Sequence, residues 1–254
     1  MDWFDIDHNG IVDGRDFFIL NEIFGFDEED ISKIVEAARI LNLQNIAHGY
    51  IELEDKPELS NLDYLYWVLS QEIEMRQEAA MAKREKESKL PYKEFLKSRV
   101  NEGIAWQIDR LESLQWIDEF QNLIIIGECD KGKTSLASHL GRRALEAGEK
   151  VSYMTISRLL EIIERKDRSD RHQRQFRYIT QSSVVIIDDM MYARIPDEHL
   201  PKLYHALTFL NETRSLIVIT NRELSTWSNG AEDTHMVETL VSRLTAGSQI
   251  IRLT

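Results

Sequence analysis

The sequence predicts an α/β protein built on a parallel sheet of about five strands, with helical material ahead of it. Three observations carry that expectation. From about Asn122 onward, five short apolar runs alternate with longer helical stretches: NLIIIG, KVSYMTI, SVVIIDD, RSLIVIT and QIIRLT. The runs are rich in Ile and Val and apolar at successive positions, which suits strands buried on both faces of a parallel sheet. The intervening segments are long enough for crossover helices. The first run leads directly into GECDKGKTSLA, Gly127 to Ala137, which fits the phosphate-loop spacing G-x-x-x-x-G-K-[ST] and opens a helical stretch.

Composition bounds the rest. The 254 residues suffice for one large domain, or a moderate one with an appendage, and 43% are apolar. Cys129 is the single cysteine, so no intrachain disulfide can form, which fits a reducing cytoplasm. The longest apolar runs fall short of eighteen residues and the N-terminus is acidic, so neither a transmembrane helix nor a signal peptide is expected. The net charge of −13 argues against a general nucleic-acid binder, but the charge is uneven. Met1 to Asp30 holds ten carboxylates and one basic residue, Arg15, whereas Lys83 to Arg99 and Arg165 to Arg177 are locally basic.

Taken in order, residues 1–36 form an acidic segment. Asp5, Asp7, Asn9, Gly10, Ile11, Asp13 and Asp16 fall where an EF-hand loop places its ligands and its turning glycine, which makes Ca²⁺ a candidate ligand. The last ligand position carries Asp16 instead of the usual Glu and only four residues precede the loop, so an acidic Asn-Gly turn is the competing reading. FDEED is expected to cap a helix over about Ile31 to Leu41. Residues 37–100 read as a helical region. In it Leu62, Leu65, Tyr66, Leu69 and Ile73 recur at helical spacing, Ser60 or Asn61 can cap, and the helix turns strongly charged before ending near Pro91. A solvated arm or a partner-binding helix is expected there. Residues 101–254 hold the strands.

The chemistry concentrates at the strand ends. Gly127 and Gly132 let the loop backbone turn its N–H groups toward phosphate, Lys133 can reach the β and γ phosphates, and the Thr134 hydroxyl can ligate Mg²⁺. Asp130, Lys131 and Ser135 complete the candidate nucleotide contacts. Glu128 and Asp130 put two acids into a loop meant for a polyanion. Because the cradle is made of backbone N–H groups and Lys131 offsets part of the charge, weakened ATP affinity is expected, but not its loss. SVVIIDD ends in Asp188, placed to hold Mg²⁺, and Asp189, placed to activate water. Another strand ends at Thr220–Asn221, an amide that can bond the γ-phosphate or the lytic water. Arg243 reads either as a surface arginine or as an arginine finger for a neighbouring subunit.

The ordered set GECDKGKT, VVIIDD, ITNRELSTW and VSRL resembles the IstB-like branch of AAA+ ATPases, which covers transposition helper ATPases of insertion elements and the related DnaC-type helicase loaders. The resemblance extends upstream through Glu72 and Arg76, an E-x-x-x-R helix, and Leu90–Pro91, so it covers about Arg39 to Thr254. It implies a P-loop NTPase of ASCE type without a helical lid, ATP-dependent oligomerisation, and action on DNA or a DNA-bound partner. That partner is a transposase on the leading reading and a replicative helicase on the alternative. It casts Lys133 and Thr134 in the Walker A roles, Asp188 on Mg²⁺, Asp189 on water, Asn221 as sensor 1 and Arg243 as the finger. This chain departs from the pattern at ITN for TSN, SRL for DRL, and in the acids of the loop. Arg165, Lys166, Arg168, Arg171, Arg174 and Arg177, with His172 among them, lie where this clade inserts material facing DNA, and cations alone suffice for phosphate contact. Lys83 to Arg99 is a second candidate. A P-loop phosphotransferase and a calcium-regulated binding module are the readings from other classes.

Overall fold

A computed structural model describes residues 28–51, 59–191, 195–229 and 233–253. The acidic loop Asp5 to Asp16 lies outside them. The chain divides into two compact units, Met1–Ala80 and Met81–Thr254.

In the first unit, helix α1 (Glu28–Ile40) ends at Asn42, which takes the left-handed conformation with φ 58° and lets Leu43 N–H return to the Ala38 carbonyl at 2.7 Å. A short helix α2 (Gln44–Ala47) follows, then α3 (Asn61–Ser88), within which the boundary between the units falls. Ser60 bonds Asp63 N–H at 3.2 Å, so it is the capping residue. The apolar stripe of α3 does not face the core: Leu62, Leu65, Tyr66, Leu69 and Ile73 are all exposed. The buried face is offset by one or two positions and carries Val68 and Glu72, with Tyr64, Trp67 and Met75 partly covered against Ala38, Ile46, Ala47 and Ile51.

Electrostatics explains the offset. Glu72 is 2% exposed, and its Oε2 accepts hydrogen bonds from the N–H groups of Asn45 and Ile46 at 3.0 and 3.1 Å. These belong to the first turn of α2, whose own hydrogen bonds leave them without partners, so the carboxylate caps that turn from another helix. Arg76, one turn on, pairs with Glu72 Oε1 at 2.6 Å and also donates to the Asn42 carbonyl. The E-x-x-x-R spacing thus clamps the junction of α1 and α2.

After the end of α3, the second unit continues with α4 (Glu102–Leu111), capped by Asn101, whose Oδ1 accepts from Ile104 N–H at 2.9 Å, and the short α5 (Gln115–Asp118). All five apolar runs form strands: β1 (Leu123–Gly127), β2 (Val151–Thr155), β3 (Val184–Asp188), β4 (Ser215–Thr220) and β5 (Gln249–Leu253). They pair in parallel in the order β2-β3-β4-β1-β5. The crossovers are α6 (Lys133–Glu146), α7 (Ile156–Arg165), α8 (Asp170–Gln181), α9 (Leu200–Thr213) and α10 (Thr234–Thr245). Alternation along the strands builds two cores. Val184, Ile186, Ile217 and Ile219 pack with α4 and α6, while Val185, Ile187, Leu216 and Val218 pack with α7 to α10. No helix among the described residues is long and apolar enough to cross a membrane.

At the amino edge of the sheet, the buried Asn122 side chain donates to the Leu244 carbonyl at 3.1 Å and accepts from Leu216 N–H at 3.0 Å. Its backbone carbonyl accepts from Gln249 N–H at 2.9 Å. One residue therefore ties β1, β4, β5 and the end of α10 together.

The Glu72 clamp predicts that Glu72→Ala costs about 3 kcal/mol, since it strands two N–H groups and one guanidinium. Urea unfolding followed by circular dichroism should show the loss, and Arg76→Ala should cost less because Arg76 is 45% exposed.

Candidate functional site

The parallel register brings the predicted residues to one edge. Ile126 of β1 pairs with Thr220 of β4, so Asn221 lies alongside Gly127, and β3, on the far side of β4, delivers Asp188 to the same carboxyl edge.

The loop follows from its glycines. A Cβ on Gly127 would stand 2.4 Å from the Leu253 carbonyl oxygen, a contact real side chains do not make. Gly132 has φ 81° and Asp130 φ 63°, two left-handed residues that curl the loop before α6 begins at Lys133. Glu128, Cys129, Asp130 and Lys131 are all exposed, so the two acids are solvated and do not fill the loop. The Lys133 ammonium folds onto the Glu128 carbonyl at 2.5 Å, which keeps the cation over the loop. Ser135 is half-buried in the first turn of α6.

Asp188 is 6% exposed and its carboxylate is well bonded. Thr134 Oγ1 donates to Oδ2 at 2.9 Å, Tyr153 Oη donates to the same oxygen at 2.8 Å, and Asp189 N–H donates to Oδ1 at 2.7 Å. Asp189 itself adopts φ 56° and is exposed. Its pKa is raised, first by loss of hydration against the surrounding protein and then by the Asp188 charge, with Lys133 and Lys93 opposing the shift. Burial, followed by the bond to Asp188, pushes the Tyr153 phenol far up, so it stays a donor at working pH. Asn221 Nδ2 reaches the Cys129 sulfur at 4.0 Å, which places the amide over the loop.

These groups fit a magnesium nucleotide. Among the described residues no cluster of three His, Cys, Asp or Glu could hold a metal. A cation between Thr134 and Asp188 would therefore draw most of its oxygens from phosphate and water, as Mg²⁺ does. Loop N–H groups and Lys133 can bind phosphates, and Asp189 stands free to accept a proton from water.

Arg243 is not at this edge. It lies in the last turn of α10, beside Leu244, which Asn122 holds at the amino edge. Its guanidinium is 3.4 Å from Glu212 and 5.7 Å from the Tyr204 ring centroid. Glu212, from α9, thus supplies the acid that Ser242 does not.

The basic residues divide into two sets. Arg165 pairs with Glu161 at 3.2 Å, and the Lys166 ammonium sits 4.3 Å from the Phe176 ring centroid. Arg168 lies in the connecting turn, and Arg171, Arg174 and Arg177 recur every third residue along α8. All four are exposed, and among the described residues none of them makes an ion pair.

Tyr153 carries no local signal of this role in the sequence. A tyrosine inside an apolar strand reads as core, and only the register reveals its reach to Asp188.

Comparison with known proteins gives matches in both sequence and fold. The family model described as IstB-like ATP binding protein matches residues 36–254. The chain is 29% identical over 228 residues to an IS21-like insertion-sequence ATP-binding protein of Bacteroides fragilis, covering 87% of each. It is 25% identical over 219 residues to the IS21 insertion-sequence ATP-binding protein of Pseudomonas aeruginosa, covering 85% of this chain and 83% of that one. Among solved structures, the DnaC helicase loader superposes with TM-score 0.52 at 17% identity, covering 65% of this chain and 95% of that one. AMPPCP-bound DnaA from Aquifex aeolicus gives TM-score 0.52 at 17% identity, covering 65% of this chain and 51% of that one. These structural likenesses show a common fold.

Two outcomes test the site. Gly127→Ala should abolish binding of a fluorescent ATP analogue and lower the melting temperature, because backbone must move to admit the methyl. For Asp189, a raised pKa means the carboxylate is protonated earlier as pH falls, so the acid limb of ATP hydrolysis should sit above the usual aspartate range. The same sign means that the stability contributed by its protonated form is lost as pH rises through the raised pKa. Asp189→Asn should accordingly stop hydrolysis while raising the melting temperature at neutral pH.

Proposed function

The chain belongs to the family of IstB-like ATP-binding proteins, an AAA+ ATPase by fold and site, and from that premise we propose that its ATP state assembles head to tail on DNA to regulate a DNA-bound transposase. The observation that carries this reading is the separation of the catalytic groups. Lys133, Thr134, Asp188, Asp189 and Asn221 occupy the carboxyl edge of the sheet, while Arg243 projects from the amino edge. An arginine there cannot reach the phosphates of its own chain across a strand of five residues, a span of roughly 13 Å or more. It can reach those of a neighbour stacked in the same orientation. ATP held between two copies then favours assembly, and hydrolysis, with Asp189 taking the proton of the attacking water, releases it.

Arg168, Arg171, Arg174 and Arg177 supply the DNA-facing cations of this reading. The three-residue spacing of Arg171, Arg174 and Arg177 along α8, with Arg168 in the turn before it, and the lack of acidic partners support phosphate contact without base readout. Arg165 and Lys166, engaged with Glu161 and Phe176, contribute less. The insertion-sequence relatives favour a transposase over a replicative helicase as the regulated partner. Pull-down with each separates the two. The cytoplasm, where such an assembly meets DNA, is the compartment this reading requires.

Electron microscopy with DNA should show rings or helical filaments when ATP is added and none without it; a monomer under every condition would sink the proposal. In solution, Arg243→Ala and Lys133→Ala should each cut hydrolysis by about a thousandfold. A mixture of the two should recover activity, because one supplies the intact site and the other the arginine. If mixing restores nothing, the arginine does not act across subunits.

A further inference from the structure

Asp188 is bonded more fully than a metal-holding carboxylate requires. A carboxylate offers about four lone-pair positions. Thr134 and Tyr153 take both on Oδ2, and the Asp189 N–H takes one on Oδ1. One remains.

The Thr134 bond is compatible with metal binding, because a hydroxyl can donate its proton to Asp188 while its oxygen lone pairs face a cation. The Tyr153 bond is different, since the phenol has no place in a phosphate loop and comes from another strand. Tyr153 pairs with Ile186 in the β2·β3 register, so Asp188, two residues further along β3, is its diagonal neighbour on the same face of the sheet. That diagonal is within reach of an aromatic side chain and not of a shorter one. Half-buried beside α6, the ring is held by packing, and its hydroxyl arrives at Oδ2 at 2.8 Å.

We propose that Tyr153 is a positioning residue for the magnesium carboxylate. By closing the second lone pair of Oδ2, it leaves Asp188 one acceptor position, on Oδ1, with which to meet a cation. A carboxylate restricted in this way would meet the cation at one position only, which suits a contact through the hydration shell. This favours Mg²⁺, which gives up its waters reluctantly, over Mn²⁺, which accepts carboxylate oxygens more readily. Tyr153 thereby sets metal preference without touching nucleotide.

The inference rests on the family's ATP binding at this loop, and the control separates the two. Binding of a fluorescent ATP analogue is titrated without metal, with Mg²⁺ and with Mn²⁺, for the wild type and for Tyr153→Phe, which removes one oxygen and keeps the ring. Failure of the wild type to bind under any condition would count against the nucleotide site itself. Given wild-type binding, Tyr153→Phe should leave the metal-free affinity unchanged and shrink the advantage of Mg²⁺ over Mn²⁺ by about tenfold. The turnover number with Mg²⁺ should fall by a similar factor while KM for ATP holds. An unchanged Mg²⁺ to Mn²⁺ ratio would overturn the proposal. So would a parallel weakening of metal-free and metal-bound affinity, which is the signature of a packing role.

Discussion

The buried carboxylate of Asp188 holds the carboxyl edge together. A charge removed from water is costly unless hydrogen bonds replace its hydration. Here the replacements come from three places: Tyr153 on β2, Thr134 on α6, and the backbone of the next residue. Satisfying one anion thus fixes the strand that carries it, the neighbouring strand and the helix that follows the phosphate loop. Asp189, whose N–H bonds Oδ1, is itself in the left-handed conformation, so the chain turns directly after the anion. The other side chains of that rim are placed relative to where that anion sits.

The amino edge is organised by a neutral group. Asn122 satisfies donors and acceptors on β4, β5 and α10 at once, which fixes the position of Arg243. The sheet therefore has two chemically distinct rims: the phosphate loop, Asp188 and Asn221 at the carboxyl edge, and Asn122 with the exposed Arg243 at the amino edge.

The strands were legible because burial on both faces writes continuous apolar runs, and every one of the five runs became a strand. The groups of the site were legible because loop chemistry has fixed spacing and strand ends face the crevice. What could not be read depended on pairing between distant segments. Tyr153 acts through register, which no local pattern encodes. The stripe of α3 follows the helical period faithfully, yet Glu72 rotates the helix so that its polar clamp is buried and the stripe is exposed. Two unsatisfied N–H groups outweighed a run of leucines. The basic cluster divided for a similar reason, since Glu161 and Phe176 engage Arg165 and Lys166 and leave the α8 arginines clear.

The contact between Gly127 and Leu253 has a kinetic consequence. The space where a methyl would sit is filled by the carbonyl of β5, the last strand and an edge of the sheet. Edge strands open more readily than central ones, through local fluctuations that leave the global fold intact. An opening of β5 would remove the wall behind the first glycine of the cradle. It would couple the residence time of a bound nucleotide to the fraying of an edge strand. Changes near Leu253 would then register in the off-rate before they registered in stability.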